Sequence, residues 1–407
     1  MAERARPGLY ALGGLGASLL IQTLVLWVYP FYAPPTEDRL LPPERVGLAL
    51  ALGRLTNAVA EPLVASWSDR LTSPWGRRRP FIVGGAPLLA LTFALVWTPP
   101  TAHRFAYLAG LLCAFFFLFS LVVNPYLALL AEFEPRRERV SAAVAQAVGN
   151  VVGTGVAYTL SAWLVYRSSF ALMGGIFAGT AVLLLWIASL AVREEGPGSP
   201  EPLGRALATV VGRPELRTYL LSLGLAWTGL SLLPPVLVFL ATVLMGVARE
   251  SVGRVLSFAL LSTLCGFPVV LSWGRRLGAR RALERVLGVA IPLLPLISLI
   301  GRVPGVPPVW HGYALIALAG LPLAGLYALP NAVLADLATR SGGHEALHFA
   351  LQGVTLNLAN AMAAATSGLL LSLGYAPGED LGLRLVPLVA AALLAGALFV
   401  FWILLRE

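Results

Sequence analysis

The sequence predicts an all-α membrane protein whose twelve transmembrane helices form two pseudo-symmetric six-helix bundles. Only 12% of the residues are charged and 58% are hydrophobic, whereas soluble domains carry about 25% charged residues. Apolar runs of about 20 residues recur along the whole chain, which is the length that a helix needs to cross a hydrocarbon core about 30 Å thick. These runs must be helices because lipid offers no partners to backbone polar groups.

The apolar runs predict the order of the spans and their division into two sets. The first six spans are expected near 8–32, 45–67, 81–99, 105–131, 141–166 and 169–192. The second six are expected near 217–243, 251–273, 284–301, 310–337, 346–374 and 382–405. A connector rich in Pro, Gly and charge separates the sets. The predicted parts are therefore an N-terminal bundle (1–192), a cytoplasmic connector (193–216) and a C-terminal bundle (217–407).

Arginine accounts for all 29 basic residues of a chain whose net charge is +9. A basic balance often indicates nucleic-acid binding, but these arginines lie in short clusters between apolar runs. Clusters follow spans 2, 4 and 8, and loops rich in arginine stay on the cytoplasmic side. We therefore expect a multi-pass protein of a bacterial inner membrane with both termini in the cytoplasm, and no nucleic-acid partner.

Span 2 carries three polar residues on one helical stripe. Arg54, Asn57 and Glu61 follow the spacing i, i+3, i+7, which places them on the same face. An ionisable group at the bilayer centre costs about 2.5–3.5 kcal/mol and usually serves function. A carboxyl group beside an arginine can bind and release a proton as its surroundings change. We interpret the stripe as a proton-coupling group; the alternative is a structural Arg–Glu pair that fastens helices together.

The two halves of the sequence contain similar segments. Three stretches of the first half also resemble one transporter family. "WSDRLTSPWGRRRPF" after span 2 matches "WGRRLGARRALE" after span 8, and such repeats are typical of secondary transporters. "SDRLTSPWGRRRPFI", "NPYLALLAEFEPRRER" and "AVGNVVG" resemble segments of the major facilitator superfamily, in the glycoside–pentoside–hexuronide:cation symporter group. The resemblance is closest to sucrose–proton symporters. It implies the major facilitator fold and proton-coupled transport of a sugar or glycoside, with a disaccharide such as sucrose as the expected substrate.

The same resemblance shows where this chain departs from the pattern. In melibiose carriers the stripe on span 2 holds an arginine and two acidic residues that bind the coupling cation, whereas this chain has Asn57 and Glu61. One carboxylate favours a proton over sodium, because hard cations need several oxygen ligands. Where sucrose carriers keep an acidic residue in span 4, this chain has Phe116. An uncoupled sugar uniporter therefore stays open as an alternative.

Amide and hydroxyl side chains inside the spans are the candidates for binding sugar hydroxyls, with an aromatic ring for the sugar face. The candidates on spans 1, 4, 5 and 11 are Ser18, Gln22, Asn124, Gln146, Asn150, Gln352 and Asn357. Trp27 and Trp227 are candidates for stacking. The alternative for each lone amide is a bridge between two helices, and for each tryptophan a core or interfacial position.

Charged residues at the helix ends are interpreted as a cytoplasmic gate that favours the outward-facing state and breaks when the carrier turns inward. The alternative is simple anchoring of the loops. The six residues assigned to the gate are Asp69, Arg70, Arg77, Arg78, Asp336 and Arg340.

Two other function classes are alternatives to sugar transport. An exporter of amphiphilic compounds would use the same fold, because fold alone does not fix the substrate. A membrane enzyme is disfavoured, because the four histidines are scattered and no metal-binding, nucleophile or phosphate-loop spacing is present. We expect no cofactor, no metal and no catalytic residue, a lipid bilayer and a small sugar as partners, and a monomer.

Overall fold

The computed structural model describes residues 6–36, 38–71, 73–133, 136–191, 214–340, 345–374 and 379–406. Within these ranges twelve helices are at least 18 residues long. The first six are α1 (Pro7–Tyr32), α2 (Pro43–Arg70), α3 (Arg79–Val96), α4 (Arg104–Ala128), α5 (Arg136–Arg167) and α6 (Phe170–Ser189). The second six are α7 (Pro214–Ser231), α8 (Val252–Leu277), α9 (Ala279–Ile297), α10 (Pro308–Arg340), α11 (Glu345–Ser372) and α12 (Leu381–Arg406).

Eleven segments of the described residues are long and apolar enough to cross a membrane. Each of the helices α1–α8 and α10–α12 contributes one of them. The remaining helix, α9, carries Arg280, Arg281, Glu284 and Arg285 in its first two turns, so its apolar part is short. Each of the twelve predicted spans overlaps one of these helices, and eleven of the twelve helices contribute a segment that could cross the membrane. Most of the predicted connector lies outside the described residues.

Two predicted features differ in the structure. The seventh span is not one regular helix, because Pro234 and Pro235 lack the N–H groups that would continue α7. A 3₁₀ turn, one α-helical turn and a π-helical segment, Leu240–Leu244, follow instead. The loop expected after span 8 is reduced to Gly278, whose φ of 81° suits glycine. The arginines assigned to that loop therefore lie on the ends of α8 and α9.

The chain divides into two compact units. One holds the described residues of Met1–Phe31 and Leu52–Glu201, and the other holds those of Tyr32–Ala51 and Pro202–Glu407. The helix α2 is thus shared, since its first turns belong to the second unit. There α11 approaches them closely: a Cβ atom on Gly368 would lie 2.7 Å from the carbonyl oxygen of Pro43.

Glycines allow the closest helix contacts within each unit. In the first, Gly149 and Gly153 of α5 lie against the α1 backbone at Ala11 and Leu15. In the second, a Cβ atom on Gly266 would lie 2.6 Å from the Gly320 carbonyl oxygen, so α8 and α10 touch through their backbones. Small residues at helix contacts permit this approach in membrane proteins.

Candidate functional site

The polar stripe of α2 forms a chain of hydrogen bonds to α4. The Asn57 Nδ2 atom donates to Glu61 Oε1 at 3.1 Å, and the Ser120 hydroxyl of α4 donates to Asn57 Oδ1 at 2.6 Å. Asn57 is only 5% exposed and Ser120 is buried. The helix continues through Pro62, directly after Glu61. The predicted spacing therefore brings Asn57 and Glu61 together, and Ser120 is a third member that the sequence analysis did not find.

Arg54 completes the stripe and contacts an aromatic ring of α4. Its guanidinium carbon lies 4.6 Å from the centre of the Phe116 ring, within the range of a cation–π interaction. Its charge also attracts that of Glu61, two turns further along the helix. The aromatic ring thus takes the place beside the arginine where sucrose carriers, by the resemblance described above, keep an acidic residue.

Gly53 explains how α2 and α4 come close enough for these contacts. A Cβ atom at this position would lie 2.5 Å from Phe116 Cδ2 and 3.0 Å from the Leu112 carbonyl oxygen. The missing side chain lets the Phe116 ring lie beside Arg54 and brings Ser120 within hydrogen-bond distance of Asn57. The local packing of α2 therefore determines the geometry of the polar chain.

Part of the predicted sugar-binding set meets where α1 and α5 cross. The Ser18 hydroxyl donates to Asn150 Oδ1 at 3.3 Å, and Asn150 is exposed. Gly14 provides space for the Asn150 and Gln146 side chains. Gln22 lies one turn after Ser18 and is partly exposed. Asn124 lies apart from this group, on α4 one turn after Ser120, and is also partly exposed.

The predicted amides of α11 have two different environments. Gln352 is 5% exposed, and its Nε2 atom donates to Asn331 Oδ1 of α10 at 2.8 Å. Asn357 is buried and donates to the Gly353 carbonyl of its own helix at 3.2 Å. Asn331 was not among the predicted residues, because no sequence pattern relates α10 to α11.

The two predicted tryptophans also differ. Trp27 is buried, and its Nε1 atom donates to the Ser161 hydroxyl at 2.7 Å, so it occupies a core position between α1 and α5. Trp227 of α7 contacts Tyr327 of α10 edge-on, with ring centres 5.6 Å apart. Trp27 is therefore a core residue, whereas Trp227 is partly exposed.

Two of the six predicted gate residues have described side chains. Arg77 Nη2 lies 2.7 Å from Glu132 Oε1, and Arg78 Nη1 lies 2.8 Å from the same oxygen. Arg78 also donates to the Ala128 carbonyl at 2.5 Å, and Arg79 donates to that of Ser189 at 2.9 Å. Arg78 and Arg79 therefore cap the C-terminal ends of α4 and α6, where cations are favourable.

The other four predicted gate side chains, those of Asp69, Arg70, Asp336 and Arg340, lie outside the described part of the chain. Glu132 was not singled out in the sequence, although it lies in the stretch "NPYLALLAEFEPRRER" that carried part of the resemblance. Among the residues described, no group of three or more His, Cys, Asp or Glu side chains is placed to hold a metal ion.

Residues 9–405 match the family model described as MFS/sugar transport protein. The chain belongs to this family. The family comprises membrane transporters rather than enzymes, and this MFS chain is a multi-pass membrane protein.

Three curated relatives match shorter segments of the MFS chain. An uncharacterized symporter of Synechocystis sp. is 29% identical over 132 residues, which are 30% of this chain and 24% of the relative. The sphingosine-1-phosphate transporter MFSD2B of Mus musculus is 29% identical over 150 residues, 36% of this chain and 30% of the relative. The sucrose transport protein SUC3 of Arabidopsis thaliana is 41% identical over 44 residues, 11% of this chain and 7% of the relative. Each alignment covers less than a third of the relative.

Solved structures match the fold along nearly the whole chain. A bacterial homolog of the human lysosomal transporter Spinster, inward-facing and unoccupied, has a TM-score of 0.73 at 14% identity, covering 98% of this chain and 95% of that one. The nucleoside transporter NupG has a TM-score of 0.74 at 13% identity, covering 98% of both chains. At such identities the likeness concerns the fold alone, and the predicted major facilitator fold is confirmed.

Proposed function

We propose that this chain is a secondary transporter that moves a sugar or glycoside by alternating access, coupled to a proton through Glu61. A disaccharide such as sucrose is the first substrate to test. The membership in the MFS/sugar transport protein family and the short similarity to a sucrose transport protein support this substrate class. The proposed location is the inner membrane of a bacterium, with both termini in the cytoplasm and the chain acting as a monomer without a cofactor.

The proposal rests on the hydrogen bonds that link Ser120 of α4 to Asn57 of α2 and Asn57 to Glu61. Ionised Glu61 accepts a hydrogen bond from Asn57, whose oxygen accepts one from Ser120. When Glu61 binds a proton, its carboxyl group becomes a hydrogen-bond donor. If the Asn57 amide then rotates by 180°, its oxygen accepts from Glu61 and its N–H group donates to Ser120. The serine hydroxyl can accept as well as donate. Both protonation states are therefore satisfied by the same three side chains.

The environment of Glu61 fits a group that takes part in the transport cycle. An Arg–Glu pair that only fastened helices would be expected to lie in direct contact, whereas Arg54 stacks on Phe116 and acts on Glu61 from two turns away. At this separation the two side chains interact through their charges. The carboxyl group can then exchange its proton when its access to water changes.

Uptake into proteoliposomes tests the coupling. We expect Glu61→Gln to abolish sugar accumulation driven by an imposed proton gradient while sugar counterflow continues, because counterflow needs no net proton movement. Ser120→Ala should lower gradient-driven accumulation less, since Asn57 keeps its bond to Glu61. The matched control is Glu215→Gln, which removes the same charge from an exposed position at the start of α7. Undiminished accumulation by Glu61→Gln would remove Glu61 from the mechanism.

A second candidate substrate class is favoured by one relative. The similarity to the sphingosine-1-phosphate transporter MFSD2B supports an amphiphilic substrate. A thermal-shift panel of mono- and disaccharides, sphingosine 1-phosphate and a lipophilic cation distinguishes the classes. Stabilisation by a disaccharide alone supports sugar transport, and stabilisation by the amphiphiles alone supports the second candidate.

A further inference from the structure

Four side chains of the second unit form a polar and aromatic cluster outside the α2 stripe. They come from three helices and are Trp227, Tyr327, Asn331 and Gln352. Two buried atoms of this cluster have no hydrogen-bond partner among the described residues: the Trp227 Nε1 donor and the Gln352 Oε1 acceptor. A buried polar group without a partner costs about 1–3 kcal/mol, so such a pair requires an explanation.

The cluster has an exposed side formed by α10. Tyr327 and Asn331 are one turn apart and lie on the same face of that helix. Tyr327 is 48% exposed and Asn331 is exposed as well. Trp227 supports the Tyr327 ring edge-on at an interplanar angle of 85°, and Gln352 holds the Asn331 amide by the 2.8 Å hydrogen bond. Less exposed side chains of α7 and α11 therefore hold the Tyr327 ring and the Asn331 amide in position.

The chemistry of the cluster selects a neutral molecule with many hydroxyl groups. None of the four side chains carries a charge at neutral pH, so nothing in the cluster would balance a phosphate or an ammonium group. Amides offer donors and acceptors in fixed positions, and a sugar hydroxyl can serve as both donor and acceptor. An aromatic ring provides the apolar surface that the C–H face of a sugar ring needs.

We propose that Trp227, Tyr327, Asn331 and Gln352 form a subsite for one ring of a neutral sugar, in which Asn331 binds a hydroxyl group and Tyr327 packs against the ring. Gln352 and Trp227 act as positioning residues. Their unpartnered atoms are buried, so these atoms gain hydrogen-bond partners only when the two side chains shift as the sugar binds. This inference rests on the proposed transport of sugars and adds Tyr327 and Asn331 to the residues that the sequence analysis selected.

The test measures sugar binding by the full-length protein in detergent, with the disaccharide that stabilises the wild type most. We expect Asn331→Ala to raise the dissociation constant about tenfold, the effect of losing one good hydrogen bond. Tyr327→Ala should weaken binding by a similar factor, whereas Tyr327→Phe keeps the ring and should bind within about twofold of the wild type. The control is Asn360→Ala, another amide in the interior of α11.

The outcomes separate this inference from the proposed function. If no sugar stabilises or binds the wild type, the proposed function fails. If the wild type binds sugar and both Asn331→Ala and Tyr327→Ala bind it equally well, the subsite is wrong while sugar transport stands. Gln352→Met serves as a second test where a variant on α10 unfolds, and an unchanged dissociation constant for it also contradicts the inference.

Discussion

The helices α2 and α8 are each the second long helix of their half of the chain, and they differ in their polar residues. The segments Val46–Arg70 and Val252–Arg276 align without a gap and share a proline in the same position, Pro62 and Pro268, as well as a later Ser-Trp pair. Each helix continues through its proline. The two halves therefore repeat one helical scaffold.

The ionisable stripe is present in only one of the two copies. In the alignment Leu260 stands opposite Arg54, Thr263 opposite Asn57, and Phe267 opposite Glu61. Phe267 and Pro268 instead line an apolar cavity of about 730 Å³ between α8 and α10. The scaffold is therefore repeated in both halves, whereas the stripe of Arg54, Asn57 and Glu61 is present on α2 and absent from the aligned positions of α8. Each pair of aligned positions offers a matched test of the two halves.

The largest expected difference is between substitutions in the basic clusters that follow α2 and α8, measured as the change in the free energy of unfolding. Arg78 is 5% exposed and bonds both Glu132 and the end of α4, whereas Arg276 is exposed in the last turn of α8. We expect Arg78→Met to lower the free energy of unfolding by about 3 kcal/mol, because it breaks a largely buried ion pair. Arg276→Met should change it by less than about 0.5 kcal/mol, as is usual for exposed positions.

Denaturant titration of both variants in mixed micelles measures this difference. The Arg77→Met variant is an internal control, since Glu132 keeps its bond to Arg78 when Arg77 is removed. Equal effects of Arg78→Met and Arg276→Met would contradict a stabilising role for the ion pair between Arg78 and Glu132.

The close helix contacts of the two halves offer a second, smaller contrast. A Cβ atom on Gly266 of α8 would meet the backbone of Gly320 and Leu321, which cannot move without shifting α10. A Cβ atom on Gly53 of α2 would meet the Phe116 ring first, and a ring can turn aside. Overpacking lowers the free energy of unfolding by about 1–3 kcal/mol. We expect a loss near the upper value for Gly266→Ala and near the lower value for Gly53→Ala.

Thermal unfolding in detergent ranks the two glycine variants, and transport separates them further. A turned Phe116 ring would leave Arg54, so Gly53→Ala should reduce gradient-driven uptake more than its small loss of stability explains. Gly266→Ala lies far from the ionisable stripe in sequence and should keep the ratio of accumulation to counterflow. If Gly266→Ala lowered this ratio and Gly53→Ala did not, the assignment of proton coupling to α2 would be contradicted.

The sequence predicted the helices well because their signal is local. Each span must satisfy its own backbone groups, so a long apolar run indicates a helix. The broken seventh span was missed because the Pro234–Pro235 pair interrupts a run that stays apolar, and hydropathy does not register a lost N–H group. The connection at Gly278 was missed because charged residues can extend a helix beyond the membrane.

The candidate site was predicted only where its geometry follows from one helix. The spacing of Asn57 and Glu61 predicts their proximity, since both lie on α2. Ser120, Asn331 and Glu132 reach their partners from other segments of the chain. Which side chains face one another across two helices depends on where glycines such as Gly53 let the helices touch. A single sequence does not specify which helices meet.

The smallest expected effect concerns a partly exposed ion pair of the second unit, between Asp380 and Arg384. Asp380 accepts a hydrogen bond from Arg384 Nε at 2.7 Å, and Arg302 lies 3.6 Å away. The hydrogen bond from Arg384 lowers the pKa of Asp380 below its usual value of 3.8, aided by the charges of both arginines. Arg384 is buried and also donates to the carbonyl groups of Ser298 and Ile300.

The lowered pKa of Asp380 fixes the sign of a pH effect. The ionised form is favoured in the folded state, so its contribution is complete above a pH of about 4 and is lost as the pH falls towards the lower folded-state pKa. Since Asp380 is partly exposed, we expect Asp380→Asn to cost less than about 1 kcal/mol at neutral pH. The variant should also flatten the decline in stability below pH 4, measured by thermal unfolding across pH. An acid decline as steep as that of the wild type would show that Asp380 contributes nothing, and Arg384 would then hold the end of α9 through its carbonyl bonds alone.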